Sequence, residues 1–112
     1  MEKEKVVHVT RKVIAYLSDL VDTLYEDDYF SYKENAQEYV NNIIDDIYKY
    51  VPNPIHHRDT PKELKKRGEN YVKIKGSKRT TWYVLFNQSG NRYVVKFVTN
   101  NHSPEANNFN RL

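Results

Sequence analysis

Cysteine is absent from this 112-residue chain, and glycine is scarce, with only 3 residues. Without cysteine there is no disulfide bond and no thiolate metal site. The sequence also has no Gly-rich phosphate-binding loop and no Gly-x-Ser-x-Gly nucleophile motif. No apolar run approaches the length of a membrane span, and residues 1–5 lack the apolar segment of a signal peptide. We therefore expect a cytoplasmic protein that does not associate with membranes.

The distribution of charge is uneven along the chain. A length of 112 residues is enough for a hydrophobic core, and we expect a single domain over residues 1–112. Residues 1–51 carry 6 Lys and Arg against 11 Asp and Glu, whereas residues 52–112 carry 12 against 4. A concentrated basic surface favours an anionic partner, nucleic acid first. The alternative is that these cations only solvate the outer face of a small sheet.

Apolar residues at helical spacing predict two helices in the acidic half. Thr10 is expected to cap the first helix, and Ser31 with Glu34 has the spacing of a capping box for the second. The first apolar stripe is Val13, Leu17, Leu20, Val21 and Leu24, and the second is Ala36, Val40, Ile43, Ile44, Ile47 and Val51. Pro52 ends the second helix. Because the link between them is short, the helices should form an antiparallel hairpin.

The basic half predicts a meander of three strands, because runs rich in β-branched and aromatic residues alternate with Gly-containing breaks. Gly90 can take a positive φ and should form a tight hairpin turn. Residues 5–9 predict one further strand, and Thr60 and Ser103 are placed to cap short helices. The expected fold is α+β: an antiparallel helix hairpin packed on a small, mainly antiparallel four-stranded sheet, in the order β-α-α-β-β-β.

Strand alternation separates the two faces of this sheet. Val72 and Ile74 point one way, and so do Trp82, Val84 and Phe86. In the third strand, Val94 and Val98 alternate with Tyr93, Val95 and Phe97. The other face should carry lysine and arginine with interleaved tyrosines, a combination that grips phosphates and stacks unpaired bases of RNA. The expected RNA-binding residues are Lys65, Lys66, Arg67, Tyr71, Tyr83 and Lys96. Alternatively, the tyrosines are ordinary packing residues of a sheet.

The histidine pair His56–His57 invites a metal hypothesis. Adjacent histidines point apart in most conformations, and only His8 and His102 remain as further imidazoles. We expect neither a metal site nor a cofactor.

The order of elements, together with the local sequence, resembles the RelE/ParE superfamily of bacterial toxin–antitoxin systems. The resemblance is carried by residues 18–24 and 36–47 of the helices, and by residues 71–75, 81–86 and 98–102 of the meander. It implies a toxin whose partner is a cognate antitoxin. In the RelE-like branch the toxin enters the ribosome and cleaves mRNA, whereas in the ParE-like branch it blocks DNA gyrase and cleaves nothing.

The RelE-like pattern places lysines on the first meander strand, an arginine on the second, an arginine or histidine after the third, and an aromatic residue near the C-terminus. By this resemblance the catalytic candidates are Lys73, Lys75, Arg79 and His102, with Phe109 at the aromatic position. RNA cleavage through the 2′-hydroxyl needs a base, an acid and positive charge on the phosphorane. Clustered lysines can supply the base, because neighbouring like charges favour the neutral amine.

Three hydroxyl residues depart from this pattern. Thr80 and Thr81 stand where the second-strand arginine is expected, and Ser103 follows His102 where many relatives have arginine. Enzymatic activity as an endoribonuclease therefore stays open. The alternatives are a non-catalytic gyrase inhibitor and a non-toxic relative that binds an antitoxin.

Overall fold

The chain folds as two long helices, a five-stranded sheet and a short last helix in a computed structural model. The structure describes residues 4–27 and 30–109, without the side chains of residues 106 and 107. The elements follow in chain order: strand β1 (Val6–Val9), helix α1 (Arg11–Glu26), helix α2 (Lys33–Tyr50), strand β2 (Arg58–Asp59), strand β3 (Asn70–Lys75), strand β4 (Thr81–Ser89), strand β5 (Arg92–Asn100) and helix α3 (Ala106–Phe109). Two 3-10 helices, Pro54–His56 and Lys62–Arg67, flank β2. Among the described helices, none is long and apolar enough to cross a membrane.

The sheet has the strand order β1-β5-β4-β3-β2, with β1 parallel to β5 and the other neighbours antiparallel. The expected α+β architecture and the order β-α-α-β-β-β are confirmed, but the expected number of four strands is wrong. The additional strand is β2, in which Arg58 pairs with Tyr71 and Asp59 with Asn70. Two residues are too few to show an alternating pattern, so this strand has no signal in the sequence.

The helix layer forms as its apolar stripes predict. Val13, Leu17 and Val21 of α1 are buried, and Ala36, Val40, Ile43 and Ile47 of α2 pack in the same cluster. Asp22 near the end of α1 forms an ion pair with Lys33 at the start of α2, as expected for an antiparallel hairpin. The expected bend near residues 28–31 lies partly outside the described residues.

Of the expected helix caps, only the first forms. The Thr10 hydroxyl oxygen accepts a hydrogen bond from the Val13 backbone nitrogen at 3.4 Å. The capping box at Ser31 is wrong, because Tyr32 is the N-cap of α2 and its side chain makes no capping bond. The cap at Thr60 is wrong as well, because Pro61 takes that place and the Thr60 hydroxyl is buried without a partner. Helix α3 begins three residues beyond Ser103.

A β-bulge in β5 changes the predicted faces of that strand. Leu85 pairs with Phe97 and Phe86 with Val95, so Lys96 is left without an opposite residue. Beyond the bulge the alternation is reversed, as an extra residue requires. Tyr93 and Val95 therefore join Val98 in the core under the helices, and the expected grouping of Val94 with Val98 is wrong.

Each face of the sheet carries its own apolar cluster. The larger cluster lies under α1 and α2 and includes the predicted residues Val72, Ile74, Trp82, Val84 and Phe86. The smaller one lies on the opposite face and consists of Leu64, Tyr71, Tyr83, Leu85 and Phe109, with Phe97 packed against it. The second face is thus partly covered by the Lys62–Arg67 helix and by α3, which leaves its lysines at the margin.

Candidate nucleic-acid interface

The lysines of β3 project from the face opposite the two helices. Lys73 and Lys75 are exposed, whereas Val72 and Ile74 between them are buried under the helices. In the strand register Lys73 lies opposite Tyr83 and Lys75 opposite Thr81. The two lysines therefore border the smaller apolar cluster and are accessible to an anionic ligand.

Tyr71 and Tyr83, expected as stacking platforms for RNA bases, are buried at 2% and 5% exposure. The Phe109 ring is parallel to the Tyr83 ring within 2° at a centroid distance of 4.1 Å, and it meets Tyr71 edge-on at 4.8 Å. Burial raises the pKa of the Tyr71 hydroxyl. In this arrangement Phe109 occupies the face of Tyr83, so a base could stack there only after Phe109 has moved.

Arg79 and His102 lie at the same end of the sheet. The His102 Nε2 atom lies 3.2 Å from the Thr80 hydroxyl oxygen, within hydrogen-bond distance. The side-chain amide of Asn101 donates to the Arg79 carbonyl oxygen at 2.9 Å, which ties the end of β5 to the β3–β4 turn. Both candidate residues line a cavity of about 900 Å³ at the edge of the helix layer.

The four catalytic candidates form two pairs, Lys73 with Lys75 on β3 and Arg79 with His102 at the cavity. Lys75 lies opposite Thr81, and the Asn101 backbone nitrogen donates to the Thr81 carbonyl oxygen at 3.1 Å, so the three residues form one row across the sheet. Lys75 and His102 therefore share one end of the sheet. However, neither lysine lines the cavity of Arg79 and His102, and no hydrogen bond among the described residues joins the two pairs. General acid–base chemistry would require a substrate that bridges both.

The hydroxyl residues at the expected arginine positions hold the loops of this end together. Thr81 donates its backbone N–H to the Asn101 side-chain oxygen at 3.0 Å. The Ser103 hydroxyl donates to the Asn100 carbonyl oxygen at 2.8 Å and lies 2.5 Å from the Thr99 hydroxyl. These contacts order the segment that carries His102, but they supply no positive charge.

Three further candidates line a second concave surface. Lys66 and Arg67 of the 3-10 helix and Lys96 of the bulge border a groove of about 800 Å³, in which Lys12 of α1 is a fourth basic residue. Lys65 lies outside it and forms an ion pair with Asp59 at 2.7 Å, a hydrogen bond that raises the Lys65 pKa. Sequence reasoning missed Lys12, because it precedes the other three by more than 50 positions.

His57 of the histidine pair has a structural role. The His57 Nε2 atom donates to the Val51 carbonyl oxygen at 2.6 Å, and its ring packs on Phe86 at 4.7 Å. Within the described residues, no group of three or more His, Asp or Glu is gathered as metal ligands would be.

Taken together, these features describe an α+β protein in which two packed helices cover a mainly antiparallel five-stranded sheet, with exposed cations around its uncovered parts. No family model, curated protein or solved structure matches the chain.

Proposed function

We propose that this chain is the toxin of a RelE/ParE-like toxin–antitoxin pair, which binds the ribosome and cleaves mRNA in the cytoplasm. The observation that carries the proposal is the combination of the element order β-α-α-β-β-β with a basic sheet face. Lys73 and Lys75 are exposed on that face, and His102 follows the last strand at the same end of the sheet as Lys75. The cognate antitoxin belongs to the proposal through the sequence resemblance alone.

In the proposed reaction the 2′-hydroxyl of RNA attacks the adjacent phosphate and the 5′-oxygen leaves. One of the two lysines of β3, Lys73 or Lys75, removes the proton of the 2′-hydroxyl. Arg79 stabilises the negative charge that develops on the phosphorane, and His102 donates a proton to the leaving oxygen. The arrangement supports this assignment only if RNA lies across the end of the sheet, because the lysines and His102 do not line the same cavity.

A second candidate function is non-catalytic binding, either as a gyrase inhibitor or as a non-toxic antitoxin-binding relative. It is favoured by the separation of the lysines from the cavity of Arg79 and His102. The contacts of the Thr80 and Ser103 hydroxyls and of the Thr81 backbone N–H, at positions where the resemblance expects arginine, favour it too.

Mapping of mRNA 5′ ends after induction of the chain in bacterial cells tests the proposal. We expect new cuts within translated codons for the wild type, and their loss in the Lys73→Ala/Lys75→Ala variant. The matched control is Lys33→Ala/Lys49→Ala, which removes two exposed positive charges from α2 and leaves the sheet unchanged. It should cut as the wild type does.

Two outcomes would contradict the proposal. Cuts that persist in a folded Lys73→Ala/Lys75→Ala variant would show that these lysines are not required for the reaction. Arrested growth with intact mRNA and blocked replication would favour gyrase inhibition instead.

A further inference from the structure

The groove beside strand β5, hereafter the β5 groove, lies where β1 ends and α1 begins. Strand β1 pairs only with Arg92–Val95 of β5, and the Thr10 backbone nitrogen makes the next hydrogen bond, to the Val95 carbonyl oxygen at 3.1 Å. Among the described strands, none pairs with the outer edge of β5 beyond this point. The groove has a volume of about 800 Å³ and reaches from α1 to the Lys62–Arg67 helix.

Four cations from three separate segments converge on the β5 groove. They are Lys12 of α1, Lys66 and Arg67 of the 3-10 helix, and Lys96 at the bulge. Glu105 is the acidic side chain among the lining residues. The ion pairs found within the described residues join Lys33 to Asp22 and Lys65 to Asp59, so none of the four is neutralised in this way. Such a concentration of like charges is unfavourable for the free protein and favours an anionic ligand.

The backbone around the groove reinforces its positive potential. Helix α1 has no acidic residue in its first turn, where Arg11 and Lys12 stand instead. Because the N-terminus of a helix carries a partial positive charge, carboxylates are stabilising there and cations are not. The bulge, in turn, removes Lys96 from the regular register of β5. Bulges often re-aim a side chain next to a functional site.

Most apolar residues of the groove are covered, and Tyr16, which is 39% exposed, is the exception. Val13 and Val98 are buried in the core under the helices, and the Phe97 ring is covered by the Arg67 guanidinium at 4.4 Å. A protein partner would need an apolar pocket for its anchoring side chains. Binding of a phosphate backbone needs only cations and hydrogen-bond donors, and stacking on Phe97 holds the Arg67 guanidinium in place for it.

We propose that the β5 groove binds the phosphodiester backbone of single-stranded RNA, as a contact surface separate from the lysines of β3. This inference rests on the proposed function for the identity of the nucleic acid. It adds Lys12 to the residues expected from the sequence, and it assigns Lys66, Arg67 and Lys96 to positioning of the RNA. Lys65, which forms an ion pair with Asp59, is outside the contact.

Fluorescence anisotropy with a labelled single-stranded RNA of about 12 nucleotides tests this assignment. The groove variant is Lys66→Gln/Lys96→Gln, and the matched control is Lys33→Gln/Lys49→Gln, which also removes two exposed charges. Titrations at several salt concentrations give the dissociation constant and its salt dependence. Thermal unfolding by circular dichroism verifies that all variants are folded, as expected for substitutions at exposed positions.

We expect the groove variant to bind RNA about tenfold more weakly. The negative slope of log K against log salt should become less steep by about 1.4, since each lost contact with a single strand removes about 0.7 from its magnitude. The control variant should bind nearly as the wild type does. Equal losses in both variants, or no change of slope in the groove variant, would overturn the inference. So would poly-glutamate displacing the RNA from the wild type as effectively as unlabelled RNA does, because an acidic peptide would then be the better ligand.

The outcome is independent of the test of cleavage. If no mRNA is cut in cells but the groove variant still loses RNA affinity, the proposed reaction is wrong and the RNA contact at the β5 groove is supported. If cuts appear and the groove variant binds RNA normally, the reaction is supported and the RNA contact at the β5 groove is wrong.

Discussion

Phe109 is the residue whose position changes the interpretation of the sheet most. Alternation along β3 and β4 places Tyr71 and Tyr83 on one face correctly, since both belong to the cluster opposite the helices. Alternation does not predict whether that face is covered, because the residue that covers it, Phe109, lies more than 20 positions further along the chain. Phe109, expected as an aromatic residue of an active site, is here a packing partner of both tyrosines.

Truncation of this ring should have a measurable cost. We expect Phe109→Ala to lower the free energy of unfolding by about 2–3 kcal/mol, because it removes a buried ring and two aromatic contacts near the end of the chain. Urea denaturation followed by circular dichroism measures the change. Phe109→Leu keeps most of the apolar volume and should lose about half as much. Unchanged stability in both variants would mean that α3 does not pack on the sheet in solution.

At the scale of elements, two glycines are restricted for different reasons, Gly68 by close approach between segments and Gly90 by its positive φ. Gly68 precedes β3, and a Cβ atom there would lie 2.8 Å from the Phe86 backbone nitrogen and 2.8 Å from the Leu85 Cβ atom. Gly90 forms the β4–β5 turn with φ at 61°, and a Cβ atom there would meet nothing within 4 Å. The turn at Gly90 was expected from the sequence and is confirmed, whereas the restriction at Gly68 follows only from the way the chain passes over β4.

Substitutions at the two glycines should separate steric from conformational cost. Gly68→Ala should lower stability by about 1–3 kcal/mol, because backbone atoms must move to admit a methyl group. Gly90→Ala should cost about 1 kcal/mol through its positive φ, and Gly90→Asn should cost less, because asparagine tolerates this conformation. Midpoints of urea unfolding give the comparison. If Gly90→Asn were no better than Gly90→Ala, the turn would have another cause.

For the whole molecule, the asymmetry of charge along the chain becomes an asymmetry between layers. The acidic half forms α1 and α2, and the basic half forms most of the sheet and the Lys62–Arg67 helix. The sequence alone predicts acidic helices that cover one face of a basic sheet. The grouping of the cations into the face of Lys73 and Lys75 and the β5 groove could not be predicted in this way, because it depends on the bulge and on where β1 ends.

Global stability should fall at alkaline pH, and Tyr71 should account for part of the loss. Burial raises its pKa, the Arg58 charge offsets part of the increase and Tyr83 adds to it. The unfolded chain therefore ionises first, so this contribution is complete below about pH 10 and is lost as the pH rises through the pKa of the folded state.

Unfolding free energies measured between about pH 9 and pH 11 test this assignment. Tyr71→Phe should lose less stability over this range than the wild type. The control Tyr32→Phe, at a tyrosine that is 64% exposed, should follow the wild type. An identical decrease in all three proteins would assign the alkaline loss to other groups.

The sequence by itself determined the elements that depend on neighbouring residues: the two amphipathic helices, the faces of β3 and β4, the Thr10 cap and the turn at Gly90. Each depends on a period or a backbone preference that operates over a few residues. Only the tertiary structure decided the two-residue strand β2, the bulge at Lys96, the closure of Tyr71 and Tyr83 by Phe109, and the convergence of Lys12 with Lys66, Arg67 and Lys96. These features depend on which distant segments meet when the sheet and helices pack, and no local pattern contains that information.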